Sequence, residues 1–318
     1  MLDPSLKNLL IETIALNMKT KDIDEIGKMI SRDFNVYQQA DQSHHVTLPV
    51  RTSATVLVDF MESKKKTEDL IKLIAELDNS LVRGRTVQIE GLEFFLQQLT
   101  LSGFVYDYSK RKVVPLKNEV QELPNWGALK NGKTYPVTVL SVDIVSNSEL
   151  VNRYGAKTMK KVYTSLWKFL RHHLSHYNGR IWSWAGDGGI MAFAFKNHVE
   201  RAVMFAIEVQ RTIMLFNLDR ENPLDAPIEL RLGIHTGKLN FQNDTGKIIS
   251  EVINLAAHLE KRQTEPGGVS ITDEVYRELN PKLQTIFRGI GPFEGVETYK
   301  LETRLDRISI PEREPLLV

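Results

Sequence analysis

Two aspartates in the C-terminal half stand where chemistry is easiest to build. Asp143 closes the apolar run VTVLSVD, and Asp187 sits in RIWSWAGDGGIMAF, whose glycines permit the positive φ of a tight strand reversal. Carboxylates at the ends of apolar strands are costly unless a charge compensates them. Oxygen-only ligands beside a triphosphate are what Mg²⁺ or Mn²⁺ prefers, so the pair reads as a two-metal phosphoryl-transfer site. Taken singly, each residue has a plainer reading: turn chemistry for Asp187, and a cap or solvated strand edge for Asp143.

The surrounding pattern supplies the elements that must hold them. PVTVLSVDIV and IELRLGIHTGKL read as strands, GRIWSW and IMAFAF as a hairpin, and GGVSIT as a further strand. SELVNRYGAKTMKKVYTSLWKFLRHHLSHY, HVERAVMFAIEVQRTIMLFN and ISEVINLAAHLEKR carry apolar residues at helical spacing. This alternation predicts an α+β domain over residues 134–302, a mixed sheet covered by helices. Residues 1–115 read as a small, mainly helical domain, from segments such as SLKNLLIETIALNM and TEDLIKLIAELD. The polar, proline-bearing stretch 116–133 reads as a linker, and 303–318, rich in Arg, Glu and Pro, as a surface tail.

Bulk composition narrows the partners. Across 318 residues, 41 Lys and Arg balance 40 Asp and Glu, which argues against nucleic acid and against a membrane surface held by charge. The absence of cysteine excludes disulfides and thiolate metal sites. No stretch approaches the roughly 20 apolar residues that span a bilayer, and MLDPSLKNLL lacks a basic leader, so a cytoplasmic protein is expected.

In order and spacing, VLSVDIVSNSEL, WAGDGGIMAF, LRLGIHTGKL, and EVINLAAHLE followed by PGGVSIT resemble the class III adenylate and guanylate cyclase family. The resemblance implies a cyclase-homology domain with a ferredoxin-like mixed sheet. It implies a nucleoside triphosphate substrate, turned into a 3′,5′-cyclic monophosphate and pyrophosphate. It implies two Mn²⁺ or Mg²⁺ per active site, held by Asp143, Asp187 and the carbonyl of Ile144, with one activating the ribose 3′-hydroxyl and the other holding the triphosphate. Asn254 would orient the ribose. His258, one helical turn later, would meet the transition-state phosphate where the family usually carries Arg. A head-to-tail homodimer is implied, each site taking its aspartates from one chain and Asn254 and His258 from its mate. His235 reads as a hydrogen-bonded residue near the core rather than a catalytic one.

Departures from the family pattern bear on the substrate. Glu294 stands where many members carry a phosphate-binding Lys, leaving Arg288 or Lys247 to offset triphosphate charge, and Lys261 and Arg262 lie close to His258 as further cations. The two purine-reading positions hold Ser183 and Lys247. With Trp182 and Trp184 beside Ser183, the hairpin is similar to that of bacterial pyrimidine cyclases, the Pycsar antiphage defence enzymes, which implies UTP, or CTP, as substrate. Tyr135, Arg180, Trp182, Ser183 and Lys247 are the nucleotide-binding candidates. Strict alternation sets both tryptophans on the face opposite Ser183, and ordinary hairpin packing is an equal reading for them. An adenylate or guanylate cyclase is one alternative; an inactive cyclase fold serving dimerisation or nucleotide binding is the other. The N-terminal domain faintly resembles bacterial adaptor domains, implying a protein partner, and its KKK run at 64–66 reads as a solvated face.

Overall fold

Apolar residues at helical spacing build the first of two units into which packing divides the chain, Met1–Lys133 and Thr134–Val318. A computed structural model describes residues 2–43, 47–82, 85–117 and 119–302; the predicted tail at 303–318 lies outside them. The first unit runs α1 (Pro4–Asn17), α2 (Thr20–Ile30), α3 (Val36–Gln39), α4 (Val50–Ser63), α5 (Thr67–Leu77), the short pair β1 (Leu81–Val82) and β2 (Arg85–Thr86), α6 (Leu92–Leu101), and the antiparallel pair β3 (Phe104–Asp107) and β4 (Lys112–Pro115). Asp3 starts α1 by accepting the amides of Ser5 and Leu6, with Pro4 in the first turn. Leu10, Ile14, Leu57, Met61, Leu70 and Phe95 are wholly buried in this unit.

Residues 116–133 are not a free linker. Trp126, Ala128 and Leu129 are buried, Gly127 lies so close to Thr100 that an added Cβ would come within 2.1 Å of its hydroxyl, and Lys133 Nζ bridges Asp78 (2.9 Å) and Glu93 (2.6 Å). Trp126, Ala128 and Leu129 without a period give no local signal; their burial comes from tertiary packing. In the KKK run Lys64 and Lys65 are exposed, as expected of a solvated face, while Lys64 pairs with Asp33 at 2.9 Å and Lys66 donates to the carbonyl of Ile30 at the end of α2.

The second unit runs β5 (Thr134–Ile144), α7 (Asn147–Tyr154), α8 (Ala156–His176), β6 (Arg180–Ala185), β7 (Gly188–Ala194), α9 (His198–Asn217), β8 (Leu230–Asn240), α10 (Glu251–Gln263), β9 (Val269–Thr272), α11 (Asp273–Glu278), α12 (Pro281–Gln284), β10 (Phe287–Phe293) and β11 (Val296–Leu301). Among the described residues these strands form one seven-stranded sheet in the order β10-β11-β9-β8-β5-β7-β6, in which β8 and β9 pair in parallel and the other neighbours antiparallel. The predicted α+β class is observed.

Alternation splits the sheet into two faces. Leu140, Val142, Ile144, Leu232, Ile234, Met191 and Phe193 form one core with Leu166 and Leu170 of α8 and Val203 and Phe205 of α9. The opposite face takes α10, which sits directly on β8: a Cβ at Gly233 would lie 2.5 Å from both the Ala256 carbonyl and the Glu260 amide. The β10–β11 hairpin lacks a clean sequence signal because glycines interrupt RGIGPFEG and the register slips between Gly289 and Gly291. No helix among the described residues is long and apolar enough to cross a membrane.

Candidate active site

Strand register brings the two aspartates together. Asp143, near the end of β5, pairs with Gly188, the residue directly after Asp187 in the β6–β7 turn. An added Cβ at Gly188 would meet the Val142 carbonyl at 2.4 Å and Asp143 Oδ1 at 3.0 Å, so only glycine lets the turn lie against that carboxylate. The other neighbour of Asp143 is Arg231 on β8, whose Nη2 donates to Asp143 Oδ2 at 2.9 Å.

Behind Arg231 stands a residue the sequence reading missed. Glu260, on the sheet-facing side of α10, is 5% exposed, and its Oε1 lies 3.2 Å from Arg231 Nε. Neither atom makes a hydrogen bond, so this contact is one of charge alone. Burial, reinforced by the charge of Asp143 and opposed by Arg231, pushes the Glu260 carboxyl up to about 7. Asp143 is also raised, by burial first and by Asp187 as well, against the pull of Arg231. The signal for Glu260 was legible in part: it extends the apolar stripe Val252, Ala256, Leu259, where an acid is out of place. Arg231 becomes significant only through its register with Asp143.

A raised buried acid carries a definite pH signature. Below its ordinary value of 4.5 Glu260 is protonated whether folded or not; as pH rises through about 7 the unfolded chain has already released the proton, and stability is lost. Glu260→Gln is therefore expected to melt above the parent at about pH 8 and level with it at about pH 4, as measured by thermal denaturation at both pH values.

The remaining candidates separate into groups. The Ile144 side chain is buried in the helix-side core. Asn254 is exposed on α10, off the stripe that packs on the sheet. His258 Nδ1 lies 3.0 Å from Glu294 Oε1, and Arg262 Nη1 donates to the same oxygen at 3.1 Å, so the acid at the family's Lys position engages both side chains. Arg288 is on the distant edge strand β10 beside Glu302 and cannot serve the carboxylates of its own chain.

The nucleotide-binding candidates do not gather at the carboxylates. Tyr135 is buried at the opposite end of β5, eight residues from Asp143, or about 26 Å along an extended strand. Arg180 is 3% exposed and donates to the Gly179 carbonyl at 2.8 Å; burial pushes it down to about 10. Trp182 and Trp184 do not share a face, because the register slips between Ile181 and Ser183. Trp182 is buried against Phe241 and Trp184 packs on the helix-side core. Ser183 is half-buried opposite Ile190. Lys247 lies exposed in the loop that Thr245 ties to the Trp182 carbonyl at 2.7 Å, and pairs with Asp244 at 2.8 Å. His235 is buried and bonded to Thr272 at 2.8 Å, as expected of a near-core residue.

Residues 129–303, more than half of the chain, match the family described as the adenylate and guanylate cyclase catalytic domain. The chain belongs to that family. A search of curated proteins finds no match. Similar solved structures include the adenylyl cyclase CyaB from P. aeruginosa, at 23% identity and TM-score 0.47, covering 55% of this chain and 97% of that one. The guanylate cyclase domain of RhGC from Catenaria anguillulae, in complex with GTP, aligns at 20% identity and TM-score 0.47, covering 53% of this chain and 97% of that one.

Class III cyclases use divalent cations, and the donor set of this cyclase domain fits them. Asp143 and Asp187 supply hard oxygens, and together with Glu260 they outnumber the Arg231 cation among them. No group of three His, Cys, Asp or Glu side chains among the described residues could hold an ion by itself, so two carboxylates would share it with backbone and substrate oxygens.

Proposed function

We propose that this chain is a nucleotidyl cyclase converting a pyrimidine nucleoside triphosphate, UTP ahead of CTP, into its 3′,5′-cyclic monophosphate and pyrophosphate. The observation that supports the reading is the pairing of Asp143 with Gly188, the residue next to Asp187, together with the charge of Asp187 acting on Asp143. They would hold two Mn²⁺ or Mg²⁺, with the Ile144 carbonyl as a further oxygen donor. Cations held there would supply the acidity of the ribose 3′-hydroxyl and the charge that offsets the triphosphate. Asp143 and Asp187 orient the oxygens that receive them, Asn254 holds the ribose, and His258 donates to the phosphate.

Asn254 is exposed and off the face of α10 that meets the sheet, which supports a homodimer in which one chain's α10 serves the aspartates of its mate. The pyrimidine reading rests on Ser183 and Lys247 at the purine-reading positions, and carries with it a cytoplasmic second-messenger role in antiphage defence. The N-terminal unit is assigned a protein-docking role.

Incubating the pure protein with each of the four ribonucleoside triphosphates and Mn²⁺ tests this directly, with products identified by mass spectrometry. Cyclic UMP, with less cyclic CMP, is expected; a purine product would replace the pyrimidine assignment. A second reading, a cyclase fold without turnover, is favoured by Glu294 holding His258 and Arg262. No cyclic product from any substrate would establish it. For an active enzyme, His258→Ala is expected to lower kcat about 10²-fold with KM near the parent value, checked by steady-state kinetics.

A further inference from the structure

We propose that Glu260 is a positioning residue for the metal-binding carboxylate of Asp143, acting through Arg231; this rests on the two-carboxylate reading of the site. Arg231 is one guanidinium between two acids. It reaches Asp143 with Nη2 at 2.9 Å while Nε faces Glu260 at 3.2 Å. An arginine belonging to Asp143 alone would close on it with two parallel hydrogen bonds. Here Nε and Glu260 Oε1 are buried without a hydrogen-bond partner and face each other at 3.2 Å, so the charge of the acid draws the guanidinium partly away from Asp143.

Glu260 is held where it is. Its helix is pressed onto β8 at Gly233, where even a Cβ would collide with the Glu260 amide at 2.5 Å and its Cβ at 2.8 Å. Glu260 as a whole is only 5% exposed. Two consequences point the same way. Sharing the guanidinium leaves Asp143 with charge for a cation, and the Glu260 carboxylate adds to the negative field at Asp143 and Asp187. Removing the acid frees Arg231 to close on Asp143 and compete for the same oxygen. Partners of this kind, one step behind a metal ligand, typically change metal affinity 10- to 100-fold.

The test is Mn²⁺ binding by the full chain without nucleotide, measured by titration calorimetry in mildly alkaline buffer, with near-ultraviolet circular dichroism as the check on folding. Glu260→Gln is expected to weaken Mn²⁺ by about 10-fold or more. Glu260→Asp, which keeps the charge but draws it back by one methylene, is expected to weaken it less. Asp143→Asn is the reference and is expected to abolish binding. Affinities for both Glu260 variants within twofold of the parent, with binding abolished in Asp143→Asn, would overturn the role of Glu260 and leave the site reading standing. Parent-like binding by Asp143→Asn would instead remove the two-carboxylate site, and this inference with it.

Discussion

Asp187→Asn is expected to eliminate cyclic-nucleotide formation from every substrate while the protein stays folded. The substitution keeps side-chain shape in a turn whose geometry is set by Gly186 at φ +65° and by the pairing of Gly188 with Asp143. It removes half of the carboxylate pair, and an amide oxygen cannot replace a full charge beside a triphosphate. Losing one preorganised electrostatic group at a reacting centre typically costs about 10²–10³ in rate, and a carboxylate proposed to hold the cations should cost at least that. It also removes a charge that raises Asp143, so the melting temperature should not fall. Product formation by mass spectrometry alongside a thermal melt reads both halves; turnover near the parent rate would remove the two-metal mechanism.

The largest structural effect is expected at Gly233. An alanine there would place its Cβ 2.5 Å from the Ala256 carbonyl and the Glu260 amide, both backbone atoms that cannot rotate aside. Helix α10 must lift from β8, which opens the contact between Arg231 and Glu260. Overpacking of this kind costs about 1–3 kcal/mol, which for a unit of this size is a fall of roughly 3–10 °C in melting temperature. Gly246→Ala is the control: its Cβ would meet nothing closer than Asp244 at 3.8 Å, so the parent melting temperature is expected. Gly233→Ala melting with the parent would mean that α10 does not sit tightly on the sheet.

Much of the cyclase unit was readable because its signals are local. Alternation in VTVLSVDIV and LRLGIHTGKL, helical spacing in HVERAVMFAIEVQ, and the GDG turn each declare an element within a dozen residues. Signals failed where structure depends on distant partners. Trp126, Ala128 and Leu129 lack a period, and only tertiary packing makes them core rather than linker. Alternation failed at Trp182 because a bulge between Ile181 and Ser183 is a feature of strand pairing, not of the strand itself.

The amino-acid sequence by itself determined most elements of the cyclase unit, pointed to the two aspartates and indicated the family to which the chain belongs, because each follows from residue type and short-range spacing. Only the tertiary structure decided that Asp143 abuts the turn bearing Asp187, that Arg231 stands between Asp143 and Glu260, and that Glu294 holds His258. The physical reason is that charges act through space: a carboxylate's neighbours are set by strand register and by how closely a helix can approach a sheet, and neither is written in any one segment.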